Sequence, residues 1–126
     1  MDQGSADGRR IRVVIIDDHE ISRAACRALL RTEGIEVVSD LPVGEQAIAV
    51  TEAMRPDLVI VDVTPDRPLP VVIAELRALP HAPTVVLTSS STSLIFRERL
   101  DGLGVLPKAD ICSERLLRHL RSSTQP

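Results

Sequence analysis

Three carboxylates, a hydroxyl and an ammonium recur at comparable places along this chain. Asp17 and Asp18 follow the run IRVVII, Asp62 follows LVIV, Thr88 follows TVVL, and Lys108 stands just after VLP. Each run is aliphatic and rich in β-branched residues, the composition of a buried strand. Carboxylates brought together repel, so such a set is costly unless a cation offsets it. Mg2+ suits the need, because it takes a few carboxylate oxygens and fills its remaining positions with water and phosphate oxygens. Asp17, Asp18 and Asp62 are therefore a candidate metal set. A carboxylate can also attack phosphorus, with the rest of the task being positioning and charge neutralisation. On this reading Asp62 is the nucleophile, Lys108 neutralises a phosphoryl oxygen and Thr88 donates a hydrogen bond to another.

These residues meet only if the strands that carry them lie side by side. The spacing predicts strands over 11–16, 36–39, 58–61, 84–87 and 105–106, alternating with helical patterns. A first helix is expected over 20–33, with Ile21, Ala24, Ala25, Ala28 and Leu29 on its packing face, Arg23, Arg27 and Arg31 on the other, and Gly34 as its stop. A second is expected over 44–54, burying Ala47, Ile48 and Val50 or Ala53, with Pro56 ending it. Two more are expected over 70–79 and 93–100. A fifth follows Ser113, with Leu116, Leu117 and Leu120 spaced for packing.

Alternation of this kind implies parallel pairing through right-handed crossovers, hence a doubly wound α/β sheet with helices on both faces. Apolar runs without strict alternation agree with strands buried on two sides. In such a sheet ligands bind at the carboxyl ends of the strands, where the candidate residues sit. The polar residues 1–9 and 122–126 have little to bury and are expected to bracket a single domain over 10–121.

Composition narrows the function. Of 126 residues, 44% are hydrophobic but only 1% aromatic, so the core is aliphatic and offers almost nothing for stacking bases. A formal charge of -3 gives no basic stripe for counterion release, which argues against DNA binding by this segment. Cys26 and Cys112 lack metal-ligand spacing, and the start of the chain has no apolar signal-peptide core. A reduced cytoplasmic setting is expected.

The stretches IRVVIIDDH (11–19), RPDLVIVD (55–62), VVLT (85–88) and GVLPK (104–108) together resemble the receiver domain of bacterial two-component response regulators, over about residues 10–121. The Asp-Asp-His start, the Arg-rich first helix and the glycine before Lys108 are most similar to receivers of the NarL/LuxR type. The resemblance implies a flavodoxin-like (βα)5 fold with strand order 2-1-3-4-5. It also implies Asp62 as phosphoacceptor, with Mg2+ organised by Asp17, Asp18, Asp62 and the Thr64 carbonyl. Thr88 is then the switch hydroxyl and Lys108 the phosphate-binding lysine. Further implications are a sensor histidine kinase as donor, a homodimer, transcription regulation, and DNA contact only through a C-terminal output domain that this chain does not contain. Receivers of this type accept phosphate rather than act as separate enzymes.

Two departures from the family pattern support a different reading. The loop after Asp62 runs Val63-Thr64-Pro65-Asp66-Arg67-Pro68-Leu69-Pro70, where the family usually has a Met-Pro pair and a glycine, and Val105 stands where an aromatic switch residue is usual. These predict a divergent pseudo-receiver serving as a phosphorylation-independent interaction or dimerisation module. A third reading, a hydrolase with an aspartate nucleophile, wants a second acid two residues after Asp62, and Thr64 is there. Elsewhere the plain readings are preferred: His19 starts a helix, Asp40 and Asp57 are surface residues, Cys26 belongs to the core, and Arg23, Arg27 and Arg31 form a solvated face.

Overall fold

The computed structural model describes residues 10–62, 69–89 and 105–107. Five strands form one parallel sheet: β1 Arg12–Ile16, β2 Glu36–Leu41, β3 Leu58–Asp62, β4 Thr84–Ser89 and β5 Val105–Pro107, in the order β2-β1-β3-β4-β5. All four pairings are parallel. The expected flavodoxin-like order is thus present. The helices between the strands are α1 Glu20–Thr32, α2 Glu45–Met54 and α3 Leu69–Arg77. The helices expected over 93–100 and after Ser113 lie outside the described residues. None of the helices among the described residues is long and apolar enough to cross a membrane.

Alternate residues of the central strands feed two cores. On one face Val13, Ile15, Leu58, Ile60 and Val86 pack with Leu30 of α1. On the other Val14, Ile16, Val59, Val61 and Leu87 meet Ala47 of α2 and Ile73 and Leu76 of α3. Burying each of these aliphatic side chains contributes about 1.5–3 kcal/mol, before chain entropy is set against it. That two-sided burial explains why β1 and β3 read as continuous apolar runs. It also fixes the ends of both strands, and with them the carboxylates that follow.

The first helix packs on a different stripe from the one expected. Ile21 is 86% exposed, and Ala25, Ala28 and Leu29 are exposed too. Leu30 is the buried residue, with Cys26 one turn earlier packed against the same core. The alanines bury too little area to decide the helix's rotation, whereas Cys26 and Leu30, four residues apart, share one face. Cys26 thus has the core role expected of it. Gly34 is the stop, with φ 83°. The Ile35 N–H donates to the Leu30 carbonyl at 3.0 Å and the Gly34 N–H to the Arg31 carbonyl at 3.1 Å. That pair of bonds is a Schellman motif, and Ile35 and Leu30 lie in the same core cluster.

In α2, Ala47 and Thr51 are buried, Ile48 and Val50 are half-buried, and Ala53 is exposed. At the amino ends of the strands, Asp57 accepts the Arg12 backbone N–H at 2.9 Å, and the Arg12 guanidinium donates to the Met54 and Arg55 carbonyls at 2.7 and 3.1 Å. Asp57 therefore ties β1 to β3, where a surface residue was expected. A charged side chain closes the end of α2 in the same place.

Candidate functional site

The strand register brings the candidate residues together. Asp62 and Thr88 are direct partners on β3 and β4, and β1 ends immediately before Asp17 on the other side of β3. All three residues are buried, Asp17 at 2% exposure, Asp62 at 7% and Thr88 at 3%. Among the described residues Thr88 Oγ1 has no hydrogen-bond partner. A buried hydroxyl left in that condition costs about 1–3 kcal/mol, which makes it a ready donor for an arriving oxygen. Asp17, Asp62 and Thr88 also face a common cavity of about 170 Å3, together with Ser22 and Cys26 of α1.

One oxygen of Asp18 accepts the Val43 N–H at 2.7 Å, so this half-buried carboxylate also positions the loop leading into α2. Lys108 and Thr64 lie outside the described residues. Pro107, which precedes Lys108, is the register partner of Ser89, the residue after Thr88. Val105 is on β5 opposite Leu87.

One contributor reads in the sequence only as a helix start. His19 is at the N-cap of α1 with extended backbone (φ −89°, ψ 107°), and its side chain makes no capping hydrogen bond. Its Nδ1 lies 3.5 Å from Asp17 Oδ1 and 3.8 Å from Asp62 Oδ2. Among the described residues, Asp17, His19 and Asp62 offer ligand atoms that all lie within 4.8 Å of one another. Its backbone N–H donates to Asp17 Oδ1 at 2.8 Å. The chain bends at Asp18, between the two residues, and that turn returns His19 to the side of Asp17.

The arginines of α1 are a second correction. Arg23 Nε donates to Asp40 Oδ1 at 3.0 Å and Arg27 Nη1 to Asp40 Oδ2 at 2.7 Å, with all three side chains largely sheltered from solvent. Burial alone would raise the Asp40 carboxyl. Hydrogen bonds and charge from Arg27 and Arg23 outweigh it and hold the group below its ordinary value. Neither a solvated arginine face nor a surface Asp40 describes this arrangement; of the three arginines only Arg31 is exposed.

The chain matches the response regulator receiver domain family over residues 13–106. It belongs to that family. This receiver is 38% identical over 90 residues to the transcriptional regulatory protein PdtaR of Mycobacterium tuberculosis, a stretch covering 70% of this chain and 44% of that one. Over 53 residues it is 42% identical to the DNA-binding transcriptional activator EvgA of Escherichia coli, covering 42% of this chain and 26% of EvgA. The match thus spans less than half the length of either relative. In fold, the receiver superposes on the signal receiver domain of the putative response regulator NarL from Mycobacterium tuberculosis with TM-score 0.72 at 24% identity, covering 91% of this chain and 96% of the other. Against the CheX-CheY-BeF3-Mg+2 complex from Borrelia burgdorferi the TM-score is 0.73 at 17% identity, covering 95% and 93% of the two chains.

The donor set suits a divalent cation. Two buried carboxylates within reach of one another favour a cation between them, and the Thr88 hydroxyl beside them, without a partner among the described residues, is a donor for an arriving oxygen.

Proposed function

We propose that this receiver, taken as residues 10–121, is a phosphoacceptor whose nucleophile is Asp62. The reading rests above all on one observation: buried Asp62 ends β3 directly opposite the Thr88 hydroxyl on β4, which has no partner among the described residues. An oxygen of Asp62 attacks phosphorus of a phosphohistidine on a sensor kinase. The P–O bond forms as the P–N bond breaks, and the leaving imidazole nitrogen keeps the electron pair and takes up a proton. Asp17, Asp18, Asp62 and the Thr64 carbonyl would hold a divalent cation, Mg2+ in the family pattern, which would supply the positive charge that allows two negatively charged partners to meet. Thr88 then donates to a phosphoryl oxygen, and the Lys108 ammonium neutralises another.

Moving Thr88 is the step that reports the modification. Its strand neighbours β5, so a pull on the hydroxyl is felt at the sheet edge that ends in Pro107. Output follows from the relatives: PdtaR and EvgA carry regulator names, and the stretch shared with either is less than half its length. We assign to the whole protein a cytoplasmic transcription-regulating role, with a homodimer as the switched state and DNA contacted through an attached domain. The receiver itself assists its own phosphorylation and dephosphorylation and turns over no separate substrate.

The test is intact-mass spectrometry after incubation with acetyl phosphate and Mg2+, beside Asp62→Asn. A labile phosphoryl adduct confined to the unsubstituted protein is expected. No adduct on either protein would leave the phosphorylation-independent module, the reading motivated by the 63–70 loop and Val105, as the better account.

A further inference from the structure

We infer that His19 Nδ1 is a ligand of the cation in this acidic site, and that the site accordingly prefers an imidazole-binding first-row dication of the Co2+, Ni2+ or Zn2+ kind over Mg2+. The inference rests on the cation-dependent phosphoacceptor reading above and concerns which ion serves it.

The separations carry the argument. At 3.5 and 3.8 Å, Nδ1 stands farther from the Asp17 and Asp62 oxygens than the roughly 2.7–3.2 Å of an N–H···O hydrogen bond. Two donors sharing one ion at bond lengths of about 2.1 Å can be no more than about 4.2 Å apart, and in tetrahedral array they are about 3.4 Å apart. Both separations fall inside that range. Among the described residues the imidazole makes no capping bond to α1. Its backbone is itself fixed to the site by the hydrogen bond from the His19 N–H to Asp17 Oδ1. The nearby Thr88 hydroxyl, 3% exposed and without a partner among the described residues, independently indicates that a polar ligand belongs in the cavity it shares with Asp17 and Asp62.

Donor chemistry sets the selectivity. Mg2+ favours oxygen and water, whereas an added imidazole nitrogen raises affinity along the series from Mn2+ towards Cu2+. A site with two carboxylate oxygens and one imidazole is poorly matched to Mg2+ alone. Asp17, His19 and Asp62 still leave room for water or a phosphoryl oxygen, so nitrogen ligation does not close the site to its reaction.

Co2+ is the probe, because its visible absorption reports nitrogen and oxygen ligation directly. The full chain is titrated with Co2+, alone and in competition with Mg2+, beside His19→Asn, Asp62→Asn and His81→Gln. Asn is a favoured N-cap residue, so His19→Asn keeps the start of α1 intact. The expected result is Co2+ binding at least tenfold tighter than Mg2+ binding, weakened at least tenfold by His19→Asn and by Asp62→Asn. His81→Gln should leave it unchanged, and Mg2+ affinity should change less than threefold in His19→Asn. Equal Co2+ affinity and spectrum in the unsubstituted protein and His19→Asn would overturn the inference, as would loss on His81→Gln alone. The acetyl phosphate experiment with Mg2+ judges the parent reading separately: an Asp62 adduct with no His19-dependent Co2+ band defeats only the ligand assignment.

Discussion

Arg23 donates through Nη1 to the carbonyl oxygen of Asp17 at 2.8 Å, so a cation on α1 holds the backbone from which a site carboxylate projects. The same guanidinium donates through Nε to Asp40 at the far end of β2. One planar fork therefore locks α1, β1 and β2 together beside the site, a geometry that suits arginine and not lysine. Arg23→Ala should destabilise the protein by about 1.5–3 kcal/mol, as expected for a charge-assisted hydrogen bond lost from a sheltered place. Arg23→Lys should recover less than half of that loss. Urea denaturation with unchanged slope measures both, and a loss below about 0.5 kcal/mol in Arg23→Ala would deny the bridge its role.

The Asp40 carboxyl gives this bridge a pH signature. Its folded-state value is held below the ordinary one, because the Arg27 and Arg23 hydrogen bonds and charges overcome the opposing effect of burial. For a depressed carboxyl the stabilisation is fully present above the unfolded-state value, and it is lost as pH falls through the folded-state value. Stability should therefore decline as pH is lowered through the acid range below about 4. Asp40→Asn should be less stable at neutral pH by about 1 kcal/mol and show a flatter acid limb. Midpoints of urea unfolding measured from neutral to acid pH would show the two curves converging; parallel curves would mean that Asp40 is not the titrating group.

Turning Gly34 into alanine tests the end of α1. The residue sits at φ 83°, where an L side chain is strained, and its N–H closes one of the two Schellman bonds. Gly34→Ala should cost about 1 kcal/mol, seen as a lower thermal midpoint, with the phosphorylation rate unchanged.

What the sequence revealed follows from where packing leaves no choice. Runs such as RVVII and LVIV have only one home, a strand covered on both faces, so their ends and the carboxylates after them could be placed by eye. The pairing of Asp62 with Thr88 then follows from strand order and register. Helix α1 was harder, because alanines are weakly apolar and arginine stems cover apolar surface as well as solvent-facing ground. Arg23 and Arg27, one turn apart, signal a shared anionic partner. Asp40 answers to it only once β2 is known to end beside α1. His19 was hidden for a similar reason: its helix-start position is visible in the sequence, but the turn of its ring towards Asp17 and Asp62 depends on β1 and β3 being neighbours.

Thr88 allows signalling to be separated from stability. Its hydroxyl is buried without a partner among the described residues, so it brings desolvation cost and no bond in return. Replacing it with valine removes that cost and keeps the β-branched shape that suits a strand. Thr88→Val should therefore be as stable as the unsubstituted protein or gain up to about 1 kcal/mol, against the usual direction for a buried substitution. If the hydroxyl exists to bind a phosphoryl oxygen, the same variant should still form the Asp62 adduct yet lose the accompanying change along β4 and β5. Backbone amide NMR with and without beryllofluoride follows that change at Leu87, Ser89 and Leu106. A variant that is destabilised by more than about 1 kcal/mol has lost a hydrogen bond that the apo protein already makes, and Thr88 would then be structural; a stable variant that still shifts would move the switch to another residue.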